Sequence, residues 1–283
     1  MTRLDVTMVA FRGACKPRPL RKLLHDLREE IAAFKPGVRF EPYADGQIHA
    51  TLIGMEVDVI GGRFYSHWFA ENKRVLREID IHRFLAVIGR IVSRNPLFTV
   101  RFGGFTRARC SCVGQSACGW TCRSSDAEFH SCDQSPYDSS LYAYSPGPVI
   151  LTGWPVESAQ SIDVFPRSLY DFRLAAERAG FLDKYHGDQN PHWMDDDCYI
   201  KIGNLPPNIK ARQLRHFQRA MREYLRKSGP VTVTMRLADV SIVLYRNPSM
   251  GRGSVVEEVR LRDALINHRR LEALFSRLAA SRC

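Results

Sequence analysis

The stretch Gln47-Ile48-His49-Ala50-Thr51-Leu52-Ile53-Gly54 decides how this chain is read. Rich in apolar and β-branched residues and closed by glycine, it predicts a strand over 47–59, broken by Gly61-Gly62. Side chains two apart on a strand share a face. His49 and Thr51 therefore project together, while Ile48, Ala50 and Leu52 pack behind. An imidazole moves protons near neutral pH, and a neighbouring hydroxyl can donate to a phosphoryl oxygen, so the pair suits phosphoester chemistry.

Upstream, residues 4–11 alternate as a half-buried strand. Leu20, Leu23, Leu24, Leu27, Ile31 and Phe34 mark one face of a helix over 19–34, and 38–42 make a short strand. Downstream, a helix lies within 72–93 and a strand over 97–105. Regular structure resumes at 148–154. A helix at 167–179, a strand at 197–205 and a helix at 208–227 follow. Strands at 231–237, 240–245 and 254–261 lead to a basic closing helix at 263–280. The order helix, motif-bearing strand, helix and strands thus occurs twice. It predicts an α+β fold in one bilobal domain over 1–283. Two pseudo-symmetric lobes of antiparallel-rich sheet, with flanking helices, enclose a central cleft. Lobe one covers 1–105 plus 148–165 and lobe two 166–283, with 106–147 as a cysteine-rich insertion.

A second copy of the motif is sought on the strand at 197–205. There Cys198-Tyr199-Ile200-Lys201-Ile202-Gly203 repeats the spacing from His49 to Gly54. In that alignment Cys198 stands for histidine and Ile200 for the hydroxyl residue. Lys201 is expected to point away from the face of Cys198, and Tyr199 to pack. A thiol at 198 carries a proton or attacks only if its pKa falls, which Asp195-Asp196-Asp197 would oppose. His192 and His186 are the nearest substitutes.

The His-x-Thr-hydrophobic string resembles the signature of the two-histidine phosphoesterases, the superfamily of 2′-5′ RNA ligase-like proteins and cyclic phosphodiesterases. It also sits where that family carries its first copy. The resemblance implies two motifs facing each other across a cleft. One histidine would act as base and the other as acid on a 2′,3′-cyclic or 2′-5′ phosphodiester, with no cofactor for catalysis. On that footing the catalytic positions are His49, Thr51 and, as the degenerate counterpart, Cys198. Arg12, Arg101 and Tyr245 are expected to line the phosphate cleft. The expected function is a phosphodiesterase, with impaired turnover, acting on an RNA end or nucleotide. The alternative is a catalytically inactive RNA- or nucleotide-binding module of the same fold.

Composition bounds the rest. The chain has 283 residues, 45% hydrophobic and 10% aromatic, as a folded protein does. Its net charge of +11 either favours phosphate-bearing partners or is a simply solvated basic excess. No apolar run is long enough for a membrane span, and no secretory signal opens the chain, so a cytoplasmic location is expected. No feature points to a protein partner. Of the eight cysteines, Cys110, Cys112, Cys118, Cys122 and Cys132 cluster in the insertion. Cys110, Cys112, Cys118 and Cys122 either hold a structural zinc or are the thiols of a surface loop. A metal-stabilised interaction protein, with the insertion as its working part, is a third reading.

Overall fold

Strand alternation and helical periodicity resolve into a main sheet of ten strands, a small β-hairpin, and helices packed mainly on one face of the main sheet. The computed structural model describes residues 3–13, 16–35, 37–92, 98–105, 136–157, 168–183 and 197–282. In chain order the elements are β1 (Asp5–Ala10), α1 (Arg18–Ala33), β2 (Glu41–Pro42), β3 (Ala50–Gly54), β4 (Val57–Ile60), β5 (Arg63–Ser66), α2 (His67–Lys73) and α3 (Ile81–Val92). Then come β6 (Phe98–Phe102), α4 (Pro136–Ser139), β7 (Leu141–Ala143), β8 (Gly147–Val156), α5 (Ser168–Arg178) and β9 (Cys198–Leu205). Last are α6 (Ala211–Lys227), β10 (Val231–Met235), β11 (Val240–Tyr245), β12 (Val255–Arg260), α7 (Leu261–Ile266) and α8 (Arg269–Ala280).

Ten strands form the main sheet in the order β10-β6-β8-β9-β3-β1-β11-β12, with β2 beside β9 and β7 beside β8. Its pairings are antiparallel. The fold is therefore α+β, as expected. The strands do not divide as the lobe boundaries predict. β6 and β8, assigned to lobe one, lie on the β9 side, whereas β11 and β12, assigned to lobe two, lie beyond β1.

Every second residue of the central strands faces the helices. Val6 and Met8 of β1, Ala50 and Leu52 of β3, Cys198, Ile200 and Ile202 of β9, and Ile242 and Leu244 of β11 are buried. They join Leu27 of α1, Phe172 of α5, Phe217 of α6 and Phe275 of α8 in one continuous cluster. Each large apolar side chain buried there stabilises the fold by about 1.5–3 kcal/mol. The other face carries small clusters, among them Val9, Val243, Tyr245 and Met250 beyond β1, Tyr142, Ile150 and Tyr199 on the β9 side, and Phe105, Tyr137, Trp154 and Val156 at the end of β8.

Local differences have local causes. The strand expected over 47–59 divides after Gly54: β3 pairs with β1, whereas β4 pairs with β5. The expected closing helix breaks at Asn267, whose side chain accepts the Arg269 N–H at 3.2 Å and starts a new helix. Residues 136–143 of the expected insertion carry α4 and β7 and belong to the fold. Cys110, Cys112, Cys118 and Cys122, as well as His186 and His192, lie outside the described residues.

Candidate functional site

β3 and β9 meet at the pair Ala50↔Ile200. Since side chains alternate, this register sets two faces at once. Ala50, Ile200 and Cys198 look toward the helices. His49, Thr51, Tyr199 and Lys201 look the other way, and all four line a cleft of about 440 Å³, within the size range of small-ligand pockets. In an antiparallel pair with this register, His49 lies across from Lys201 and Thr51 across from Tyr199.

This corrects the expected twin motif. Cys198 is fully buried in the helical-side core, and burial pushes its thiol up to about 12. Such a thiol is neither a proton carrier nor a nucleophile at neutral pH. The counterpart of His49-x-Thr51 is Tyr199-x-Lys201, one position along from the alignment that the glycines suggest.

His49 sits partly buried at the entrance to β3. Its Nδ1 lies 2.6 Å from the Gln47 carbonyl oxygen. A carbonyl only accepts, so Nδ1 carries the hydrogen and the neutral ring keeps its lone pair on Nε2. Burial, opposed by that hydrogen bond and reinforced by the charges of Lys201, Arg12 and Lys16, lowers the ring to about 4. The segment before it is tied to the rim of the cleft: the Gln47 side-chain amide donates to the Ser249 carbonyl at 3.3 Å. Ser249 is flanked by Pro248 and Met250, which also line the cleft.

The far end is built differently. Glu56 accepts from the indole Nε1 of Trp68 at 2.5 Å and from the Tyr245 hydroxyl at 3.2 Å. Burial, with Asp183 and Asp5 nearby, raises the Glu56 carboxyl above its ordinary range. Burial and Glu56 raise the Tyr245 hydroxyl as well, so Tyr245 stays a donor. Asp183 accepts the Gly54 N–H at 2.6 Å. A Cβ at Gly54 would stand 2.8 Å from the Glu56 carboxylate, so any larger residue there would displace that side chain. His67 also lines the cleft, its Nδ1 3.0 Å from Asp58; Asp58 in turn accepts from Arg3 at 3.1 Å.

Of the expected site residues, the fold brings together His49, Thr51 and Tyr245. Arg12 is drawn instead to Glu258 in an ion pair and reaches His49 only through its charge. Arg101 is buried away from the cleft: it donates to the carbonyls of Gly103 at 3.2 Å and Gly104 at 2.6 Å and lies over the Phe105 ring. Sequence reasoning missed Lys201 and Tyr199 as site residues, along with Glu56, His67, Trp68 and Asp183. The first two were within reach of the alternation rule once the register was known. The others come from a strand end, a helix start and a loop with no shared spacing.

Among the described residues, no group of three or more His, Cys, Asp or Glu is arranged to hold a metal ion. None of the described helices is long and apolar enough to cross a membrane. Comparison with protein-family models, with curated proteins and with solved structures gave no match.

Proposed function

We propose that the cleft takes the phosphodiester of a nucleotide or RNA end, 2′,3′-cyclic or 2′-5′-linked, and opens it without a metal. The observation that supports this reading is the Ala50↔Ile200 register, which groups an imidazole, a hydroxyl, an ammonium and a phenol on one cleft-lining surface. Thr51 and Lys201 would hold the phosphoryl oxygens. His49, neutral and with Nε2 unprotonated, would take a proton from the attacking water. As the new phosphorus–oxygen bond forms and the bond to the ribose oxygen breaks, the Lys201 ammonium would give its proton to the leaving oxygen and recover one from solvent.

One observation favours a second reading, binding without turnover. The burial that keeps His49 neutral also makes it a weak base, at about 4, and the position equivalent to it on β9 is Tyr199 rather than another histidine. Losing one of two proton-transfer groups costs roughly 10²–10⁴-fold in rate, so turnover is expected to be slow.

The test is incubation with 2′,3′-cyclic nucleotides and 2′-5′ dinucleotides in EDTA. Turnover that falls by about 10²-fold or more in His49→Ala supports the enzyme. Nucleotide binding without turnover, weakened by Lys201→Met, supports the binding module. A protein that neither binds nor cleaves these compounds overturns both.

A further inference from the structure

The helical layer carries a charged feature that the cleft does not use. On α6, Arg212, Arg215, Arg219 and Arg226 recur at helical spacing and are exposed, so they form one stripe. It spans about 21 Å at 1.5 Å per residue. Arg222, at its edge, is fixed by donating to the Leu141 carbonyl and to the Gln218 side chain, both at 3.0 Å. The opposite side of α6 is the buried row Phe217, Met221 and Leu225. Glu223, the acidic residue of this helix, is taken by Arg226 at 2.5 Å and Lys227 at 3.9 Å. No carboxylate among the described residues lies within salt-bridge distance of Arg212, Arg215 or Arg219.

These arginines also start at the wrong end of the helix for its dipole. The first turn of α6 has no acidic residue, and its N-cap is Lys210. Cations near a helix N-terminus oppose the positive pole of the backbone. Nothing within the described chain offsets that arrangement, whereas an external polyanion would.

We infer that the Arg212–Arg215–Arg219 face of α6 docks the phosphate backbone of a nucleic-acid duplex. A guanidinium fork matches a phosphate in two hydrogen bonds, and a basic stripe along a helix is the footprint of backbone contact. α6 exposes no Phe, Tyr or Trp. Its exposed His216 lies against the Phe34 ring and Tyr224 is half-buried against the core, so it offers little aromatic surface on which to stack the bases of a single strand and no apolar face left to enter a bilayer. The stripe lies on the helical side of the sheet, away from the cleft, so it is a separate site and does not depend on the proposed phosphodiester chemistry.

The test measures binding of the full chain to a duplex RNA of about two helical turns, by fluorescence anisotropy across a salt series. It compares wild type with the triple variant Arg212→Gln, Arg215→Gln, Arg219→Gln. A charge-matched triple, Arg83→Gln, Arg262→Gln, Arg269→Gln, removes exposed arginines of α3, α7 and α8 instead. The stripe triple is expected to bind at least about tenfold more weakly. Its slope of log affinity against log salt should be shallower by about three units, near 0.9 per lost contact. It should keep the unfolding midpoint and the cyclic-nucleotide activity of wild type. The charge-matched triple should bind as wild type does. Equal losses in both triples would assign binding to net charge and overturn the inference. So would the absence of duplex binding, single strands held as tightly as duplex, or stripe-dependent binding to phosphatidylserine vesicles alone.

Discussion

At the scale of single residues, the state of His49 follows from one hydrogen bond and its burial. Its folded pKa of about 4 lies below the 6.5 of a free imidazole. As pH falls from 6.5 toward 4, the unfolded chain gains a proton that the folded chain refuses. Stability therefore drops across that window and levels off below it. The ring borders the open cleft, so solvent screening holds the effect to roughly 1–3 kcal/mol. Urea unfolding of His49→Asn should show a flatter pH dependence than wild type through this range; superimposable curves would contradict the partly buried, neutral ring. Cys198 makes the opposite case. A thiol pushed up to about 12 inside the core should resist alkylation in the native protein, as read by peptide mapping, and react once unfolded. Cys198→Ala should cost about 1 kcal/mol of stability and leave nucleotide binding unchanged.

At the scale of elements, the join between β3 and β9 matters most, and Arg173 of α5 secures it. This fully buried guanidinium donates to the Leu52 carbonyl at 2.9 Å and the Asp197 carbonyl at 3.1 Å, and stands 4.0 Å from the Asp183 carboxylate. Arg173→Met takes the cation away from a buried carboxylate and should cost about 3–5 kcal/mol, measured as a lower denaturation midpoint with a cleft-binding loss that follows the fraction unfolded. Gly203 serves the same strand, because a Cβ there would stand 2.5 Å from the Glu41 carbonyl of β2. Gly203→Ala is therefore expected to displace β2 and lower stability, by about 1–3 kcal/mol as for other overpacked sites; an unchanged midpoint would show that β2 yields freely. Most strands and helices were legible from periodicity, since 3.6 and 2.0 repeats are local properties. The pairing register was not. Matching Gly54 with Gly203 misplaced the twin motif by one residue, and a slip of one turns every side chain to the other face. The expectation that Lys201 points away from Cys198 was correct; the cleft simply lies on the lysine's side.

At the scale of the whole molecule, the described helices pack mainly on one face of the main sheet and the cleft lies on the other. Its lining comes from distant parts of the chain, among them Asp5, His49, Glu56, Asp183, Lys201 and Tyr245. No window of sequence contains that constellation, which is why only His49, Thr51 and Tyr245 were read in advance. In the order β9-β3-β1-β11, β1 from the start of the chain pairs with β11 from its far end.

The cleft assignment is tested most directly by the imidazole nitrogen NMR spectrum of His49, recorded in EDTA with and without a 2′,3′-cyclic nucleotide. The predicted result is a neutral ring protonated on Nδ1 in the free protein. Its Nε2 resonance should move with nucleotide occupancy in wild type and in Cys198→Ala, but not in Lys201→Met. A His49 signal that ignores the nucleotide, or a shift abolished by Cys198→Ala and kept in Lys201→Met, would contradict it.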